Sequence, residues 1–268
     1  MRAPRPIALA FGVLVLAAGS AAAQQTSTAE TPGELVTDRP DFTESSQTIA
    51  RGWYQFESGV PYEGAGRDAR AFSAPAALMR IGLGRNTELR VGADGFVSES
   101  FAGVRTSGVS DIELGFKTQL LNQDRHGIDF AILPALSLPT GADAFSSGSA
   151  DPSVKLTWGR DLPAGFGMTG NVNFASFRDD AGRYGQEAVT LSFGHDLVAG
   201  FGAYAEVYGF SRLARGESAA WTVNGGVTHP VGANMQFDIE AGRGITAAAP
   251  DWFIGAGFAV RSPFTRRR

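Results

Sequence analysis

The sequence predicts an all-β fold, a transmembrane antiparallel up-and-down β-barrel of about 12 strands at residues 51–261, behind an N-terminal signal peptide. Apolar and polar residues alternate with a period of two in twelve segments, which is typical of strands with two different faces. The links between these segments are mostly alternately short and long, as in outer-membrane barrels with short periplasmic turns and longer external loops. One strand face also carries too many charges for the dry core of a soluble sandwich.

Residues 1–23 have the features of a secretory signal peptide. Arg2 and Arg5 give a positive end, residues 7–18 are apolar, and three alanines before Gln24 offer a cleavage site. The apolar run is short for a membrane-spanning helix, which favours cleavage over anchoring. Loss of the two arginines lowers the count of Lys and Arg from 23 to 21 against 27 Asp and Glu, a net charge of −6. We therefore expect export to the outer membrane and no nucleic-acid partner.

Residues 24–50 are predicted to form a periplasmic N-terminal arm. Its first part is polar and low in structure, whereas residues 35–50 contain a compact cluster of charges, Asp38, Arg39 and Asp41, around a proline that disfavours a central strand. Two placements remain open. The arm packs against the periplasmic rim, which is the simpler placement because charged segments are usually solvated or locally paired. Alternatively it reaches into the lumen, where these three residues form a plug.

The hairpin at residues 76–97 shows the strand pattern clearly. Ile81 alternates with Arg80 in its first arm and Val91 with Arg90 in its second, across a link that contains glycine and asparagine. The predicted strands are 53–62, 76–83, 88–97, 110–120, 128–138, 153–158, 168–174, 187–195, 203–210, 220–229, 235–242 and 252–260. The predicted external links are 63–70, 98–109, 139–152, 175–186, 211–219 and 243–251.

The polar strand face is expected to line the lumen and to form the solute path. Mixed charges across a twelve-stranded lumen would narrow it, and Tyr204 and Tyr208 beside Glu206 are candidates for contact with an aromatic solute. A salt-bridged interior that only stabilises the barrel is the alternative. The candidate lumen residues are Glu57, Arg80, Glu88, Arg90, Asp94, Asp111, Glu113, Lys117, Lys155, Tyr204, Glu206, Tyr208, Asp238 and Glu240.

The sequence gives little support for an enzyme. The chain has three histidines, His126, His195 and His229, and the strand assignment puts all of them at the periplasmic rim. His195 and the adjacent Asp196 would point to opposite faces of a strand, so no catalytic residue is predicted. No cofactor or metal is expected either, although three aspartates border external loops where calcium could bind, Asp94, Asp111 and Asp151.

Several short blocks give the chain a resemblance to a known family. They are Thr37-Asp38-Arg39-Pro40-Asp41-Phe42-Thr43-Glu44-Ser45, Arg90-Val91-Gly92, Asp111-Ile112-Glu113-Leu114-Gly115-Phe116-Lys117, Leu138-Pro139-Thr140-Gly141 and Glu206-Val207-Tyr208-Gly209. In their order and spacing the chain resembles the phenol-degradation MetA-pathway family of outer-membrane transporters over about residues 36–260. The resemblance implies a closed barrel in outer-membrane lipid and uptake of small, often hydrophobic or aromatic solutes. A structural or surface-interaction barrel is the alternative, and an outer-membrane hydrolase is a weaker one.

The end of the chain resembles an assembly signal. Outer-membrane chains often end in a strand with a glycine and spaced aromatics, and Phe253, Gly255, Phe258 and Val260 have that spacing. We therefore expect the barrel-assembly machinery as a partner. Residues 262–268 form a basic tail, either a disordered terminus or a segment that binds anionic lipid heads.

Overall fold

The computed structural model describes residues 31–264. The signal peptide, residues 24–30 of the arm and residues 265–268 of the basic tail lie outside the described residues. Within residues 31–264, no helix combines the length and the apolar character needed to cross a membrane.

One antiparallel sheet closes on itself into a barrel, because its first strand pairs with its last. The strands are β1 (Trp53–Ala65), β2 (Ala69–Ala74), β3 (Ala76–Gly82), β4 (Thr87–Ala93), β5 (Phe96–Phe101), β6 (Val104–Val109), β7 (Ile112–Leu121), β8 (Asp129–Leu138), β9 (Asp151–Leu162), β10 (Phe166–Asp179), β11 (Gly182–Asp196), β12 (Gly202–Phe210), β13 (Ala220–Pro230), β14 (Met235–Gly244) and β15 (Trp252–Pro263). The helix α1 (Gln123–His126) and three single 3-10 turns, Asp143–Phe145, Pro163–Gly165 and Val198–Gly200, lie in the links.

Three of the barrel strands are interrupted, which reconciles these fifteen segments with the twelve strands predicted. β2 and β3 both pair with β1 on either side of Pro75, and proline cannot donate to the ladder. β4 and β5 are separated at Asp94 and Gly95, and β6 and β7 at Ser110 and Asp111. The three breaks lie side by side, since β2, β5 and β6 pair in that order beyond them. The prediction of a twelve-stranded closed barrel is confirmed.

The outer strand segments correct three of the predicted external links. Residues 63–70 and 98–109 are mostly strand, because β1 and β2 form one hairpin and β5 and β6 form another. Residues 175–186 are likewise the tip of a hairpin between β10 and β11. These stretches are mostly rich in Gly, Ser, Ala and Arg, which favoured loops, so the strand pairing that extends beyond the membrane-spanning part of the barrel was missed.

The two faces of the wall are those of a membrane barrel. Large apolar side chains project outward, as with Ile239, which is 61% exposed. The largest fully buried side chains are mostly polar, and Arg80 is 0% exposed. An exposed apolar surface with a buried polar interior is stable only when lipid surrounds the barrel and water or ion pairs fill its lumen. The lumen side of β8 is an exception, because Ala131 and Leu133 face inward there.

The barrel has one end with short turns and one end with long loops. The first residue of β1 and the last of β15 are paired at the short-turn end, where the turns 83–86, 122–128, 163–165, 197–201 and 231–234 also lie. Short turns mark the periplasmic end of outer-membrane barrels. The N-terminal arm therefore enters the barrel from the periplasmic side.

Candidate functional site

The N-terminal arm lies inside the lumen rather than on the rim. The backbone N–H of Ile49 donates to Glu88 at 2.8 Å, and the guanidinium of Arg39 donates to Asp238 on the opposite side at 2.9 Å. The Thr43 hydroxyl reaches Thr190 at 2.7 Å. Residues 31–50 contain no strand, so side chains rather than ladder hydrogen bonds hold most of this segment in place.

One contact surface for the arm is a basic cluster, defined here as Arg80 of β3, Arg90 of β4 and Lys117 of β7. Arg80 and Arg90 are cross-strand partners, and like charges directly opposite each other are destabilising. The carboxylate of Asp38 relieves this repulsion. Its Oδ2 atom lies 2.6 Å from Arg90, 2.8 Å from the Lys117 ammonium and 3.2 Å from Arg80. Three cations thus converge on one oxygen of the arm.

Further carboxylates complete the neutralisation of the cluster. Glu88 lies 2.9 Å from both Arg80 and Arg90, and Glu57 lies 3.1 Å from Arg80. Glu44 of the arm bridges the cluster to β9, with Arg90 at 2.8 Å and an ion pair to Lys155. Burial opposes ionisation of the two arm acids, but the surrounding cations hold the pKa of Asp38 well below its usual range and lower the pKa of Glu44 to about 2.

The opposite side of the lumen carries an acidic wall, defined here as Glu206 of β12 with Asp238 and Glu240 of β14. Glu206 accepts hydrogen bonds from the backbone N–H groups of Phe42 and Thr43 at 3.0 and 2.7 Å, and from the Thr43 hydroxyl. The Tyr204 hydroxyl lies 3.4 Å from Glu240. Burial and the nearby Glu206 raise the pKa of Asp41 well above its usual range.

The arm lies between the basic cluster and the acidic wall, and its ion-paired residues carry the charge opposite to that of the side they contact. Its acids, Asp38 and Glu44, contact the basic cluster, and Arg39 contacts the acidic wall. Asp41, the third candidate plug residue, lies by Glu206 instead and has no ion pair among the described residues. The charges of Asp38, Arg39 and Glu44 are therefore complementary to the lumen wall that each contacts.

Glycines shape the slot that holds Arg39. Gly59 of β1 and Gly257 of β15 are cross-strand partners, and a Cβ atom on either would overlap the Arg39 guanidinium. The missing side chains let a long cation lie flat against the wall, where it reaches Asp238. Glycine in a strand often marks such a close approach.

We expect Gly59→Ala to release the arm, because the three atoms nearest to the added methyl group all belong to the Arg39 guanidinium. The reporter is Ser45→Cys, whose side-chain oxygen is buried without a hydrogen-bond partner, in a chain without natural cysteine. A water-soluble maleimide should label it at least several-fold faster in the Gly59→Ala background. Gly167→Ala on β10 is the matched control, since nothing lies within 4 Å of its Cβ position. Equal rates in both backgrounds would contradict the slot.

An aromatic contact occupies the position that Tyr208 was expected to offer a solute. The ring of Phe42 lies 4.7 Å from Tyr208 and 5.2 Å from Phe210, measured between centroids. The chain's own aromatic side chain thus fills an aromatic niche on β12. Tyr204 lies on the same side of the lumen, next to Glu240.

Two cavities flank the arm along the barrel axis. The cavity at the loop end has a volume of about 710 Å³ and is lined by Asp94, Asp111 and Glu113 among others. The cavity at the short-turn end has a volume of about 610 Å³ and is lined by Asp41, Tyr204 and residues of the turns. Arg39 lines both cavities. The arm is therefore the partition between them.

Most of the predicted lumen residues lie either in the ion-pair network or on the opposite side of the lumen. Glu57, Arg80, Glu88, Arg90, Lys117 and Lys155 join the ion-pair network, and Tyr204, Glu206, Tyr208, Asp238 and Glu240 line the opposite side. Two of the three aspartates considered for calcium are engaged by the protein. Asp111 accepts from the Gly141 N–H and the Ser146 hydroxyl at 2.8 and 3.0 Å, and Asp151 pairs with Arg183 at 2.9 Å.

The histidines lie in or beside turns, as expected. His195 stacks on Phe166 and His229 on Phe201, with centroids 4.2 and 4.3 Å apart. His126 belongs to α1 at the same end. Sequence reasoning missed the role of Glu44 and of the hydroxyls of Thr43 and Thr190. Thr43 and Glu44 lie in the arm and carry no periodic signal, and Thr190 is one of many polar residues on a strand face, so their importance depends on where the arm lies.

Comparison with known structures supports the fold. The crystal structure of the COG4313 outer membrane channel from Pseudomonas putida F1 matches with a TM-score of 0.60 and 16% identity, covering 81% of this chain and 98% of that chain. The NanC porin matches with a TM-score of 0.50 and 10% identity, covering 77% and 98%. These likenesses show an outer-membrane barrel fold of the kind found in channels and porins. No curated protein sequence matches the chain.

A family model also matches the chain, over residues 37–262. The match includes the charged segment of the arm as well as the whole barrel, so arm and barrel belong to one unit of sequence. The chain therefore belongs to the family described as "Putative MetA-pathway of phenol degradation".

Proposed function

We propose that the barrel is an outer-membrane channel for small solutes whose lumen the N-terminal arm closes. The observation that carries this proposal is the pair of cavities, about 710 and 610 Å³, that the arm separates. A barrel serving only as a scaffold has no need for two cavities on either side of its arm. The structural likenesses to a channel and a porin are consistent with the proposal.

The way the arm is held suits a removable closure. It contributes no strand to the sheet, so its departure leaves the barrel ladder intact. Most of its anchors are side-chain contacts, such as Arg39 to Asp238 and Asp38 to Arg90, which water and ions can replace. A narrow lumen opened in this way would pass small molecules and exclude large ones.

The niche around Phe42 supports aromatic compounds as one solute class. Tyr208 and Phe210 hold its ring at 4.7 and 5.2 Å, within the range of favourable aromatic pairs. A solute ring could occupy this niche once Phe42 leaves. The alternative, a purely structural barrel, is favoured by the dense ion pairs of the basic cluster, which would also stabilise a closed lumen.

A reversible disulfide lock tests the channel. The hydroxyl oxygens of Thr43 and Thr190 are 2.7 Å apart, so the double variant Thr43→Cys/Thr190→Cys places two thiols within bonding reach. When the variant is oxidised in planar bilayers, we expect conductance and the swelling of solute-loaded liposomes to fall to the background level. A reducing agent should restore both.

A second cysteine pair provides the matched control. The hydroxyls of Thr87 and Thr118 are 3.2 Å apart on adjacent strands, so Thr87→Cys/Thr118→Cys cross-links wall to wall without touching the arm. Its conductance should not respond to oxidation. If the oxidised arm lock conducts as well as its reduced form, solutes do not pass where the arm lies. If neither the oxidised nor the reduced form conducts or lets liposomes swell, the barrel is purely structural.

A further inference from the structure

The charge balance of the basic cluster and of Lys155, which Glu44 connects to it, depends on the arm. Arg80, Arg90, Lys117 and Lys155 supply four positive charges, and the barrel itself supplies two negative charges within the network, Glu57 and Glu88. The arm supplies the other two through Asp38 and Glu44. Withdrawal of the arm would therefore leave these six barrel residues with a net charge of about +2, which the nearby Glu113 lowers to about +1.

An uncompensated buried charge of this size is costly. Side chains of Arg80 and Lys117 are 0% exposed, and Arg90 is 7% exposed. Breaking a buried ion pair from one side is strongly destabilising, and water that enters the lumen would screen the remaining cations without neutralising them. The arm should therefore leave most readily when another anion takes its place.

The geometry at Asp38 indicates which anion fits. One oxygen of its carboxylate receives Arg90 at 2.6 Å, Lys117 at 2.8 Å and Arg80 at 3.2 Å. Its second oxygen accepts the N–H of Ser45, which also belongs to the arm. The barrel side of the site is thus a set of three cations around a single carboxylate, and two of them, Arg90 and Lys117, donate hydrogen bonds to it. Arginine forks are well suited to planar carboxylates.

We propose that the basic cluster is a solute-binding site for small carboxylates, and that Asp38 and Glu44 occupy it in the closed channel. The inference rests on the proposed function and specifies its solute class. Each bound carboxylate replaces one arm carboxylate, so two of them would restore the charge that Asp38 and Glu44 supply.

Calorimetry on the detergent-solubilised full chain tests the site, with sodium benzoate as the probe. The variant Asp38→Asn/Glu44→Gln removes both arm charges while keeping side-chain size. We expect benzoate to bind this variant at least tenfold more tightly than the natural chain, because no internal carboxylate competes. Adding Arg90→Gln should abolish that gain. Benzylammonium, which has the opposite charge, should bind neither protein.

The control variant makes the same change in net charge elsewhere. Asp124→Asn/Glu217→Gln alters two exposed acids in a turn and a loop, and benzoate binding should stay at the level of the natural chain. Equal benzoate affinity in both double variants would overturn the site, as would tighter binding of inorganic phosphate than of benzoate. If Asp38→Asn/Glu44→Gln does not assemble, Asp38→Asn alone carries the same comparison. Calorimetry needs no conductance, so this result is independent of the lock experiment.

Discussion

Replacing Arg80 with methionine is expected to destabilise the barrel by about 3–5 kcal/mol, the cost of breaking a buried ion pair from one side. Arg80 is fully buried and donates to Glu88 through two nitrogens, at 2.9 and 3.1 Å, and to Glu57 at 3.1 Å. It also donates to the carbonyls of Val36 and Gln47 in the arm. Methionine fills the space but leaves both acids without this partner.

Urea unfolding of the protein folded into lipid vesicles would measure the loss. The matched control is Arg215→Met, which removes an ion pair with Asp179 in which both side chains are more than a third exposed. Solvent screens such a pair, so the control midpoint should hardly move. If Arg80→Met unfolds at the same urea concentration as the control, the network contributes no stability. The interior charges would then be explained by function alone.

The barrel and its two faces were predictable because period-two alternation is a local property. Ile81 and Arg80 differ by one position, and a strand must send them to opposite faces. Which face meets lipid followed from the cost of burying so many charges in a dry core. The interruption at Pro75 also had a visible signal, since proline removes a ladder donor. The neighbouring break at Asp94 also had a signal, since Asp94-Gly95 is a typical turn pair, but the predicted strand 88–97 ran through it.

The arm could not be placed in the same way. Its contacts join residues that are far apart in sequence, as with Arg39 and Asp238, which are 199 positions apart. No periodicity links them, and a charged segment is more often solvated than buried. The matching of charges between arm and lumen becomes visible only when strand order brings β3, β4 and β7 to one side and β12 and β14 to the other. The slot formed by Gly59 and Gly257 depends on β1 pairing with β15.

Glu206→Ala is expected to produce the largest change in channel opening. This one carboxylate accepts three hydrogen bonds from the arm, two from backbone N–H groups of Phe42 and Thr43 and one from the Thr43 hydroxyl. Hydrogen bonds to charged groups each contribute about 1.5–3 kcal/mol. A net loss of about 2–3 kcal/mol would raise the population with the arm withdrawn about 30- to 150-fold.

Single-channel recording of open probability and maleimide labelling of Ser45→Cys would both report this shift, and they should rise together. The control is Asp129→Ala on β8, which also removes a carboxylate that accepts two hydrogen bonds, from Gln119 at 3.0 Å and the Gln123 N–H at 2.8 Å. Those bonds tie a periplasmic turn and do not touch the arm, so neither signal should change. Faster labelling without more frequent opening would mean that the arm moves but does not gate the lumen. The two measurements together therefore separate a mobile arm from a closure.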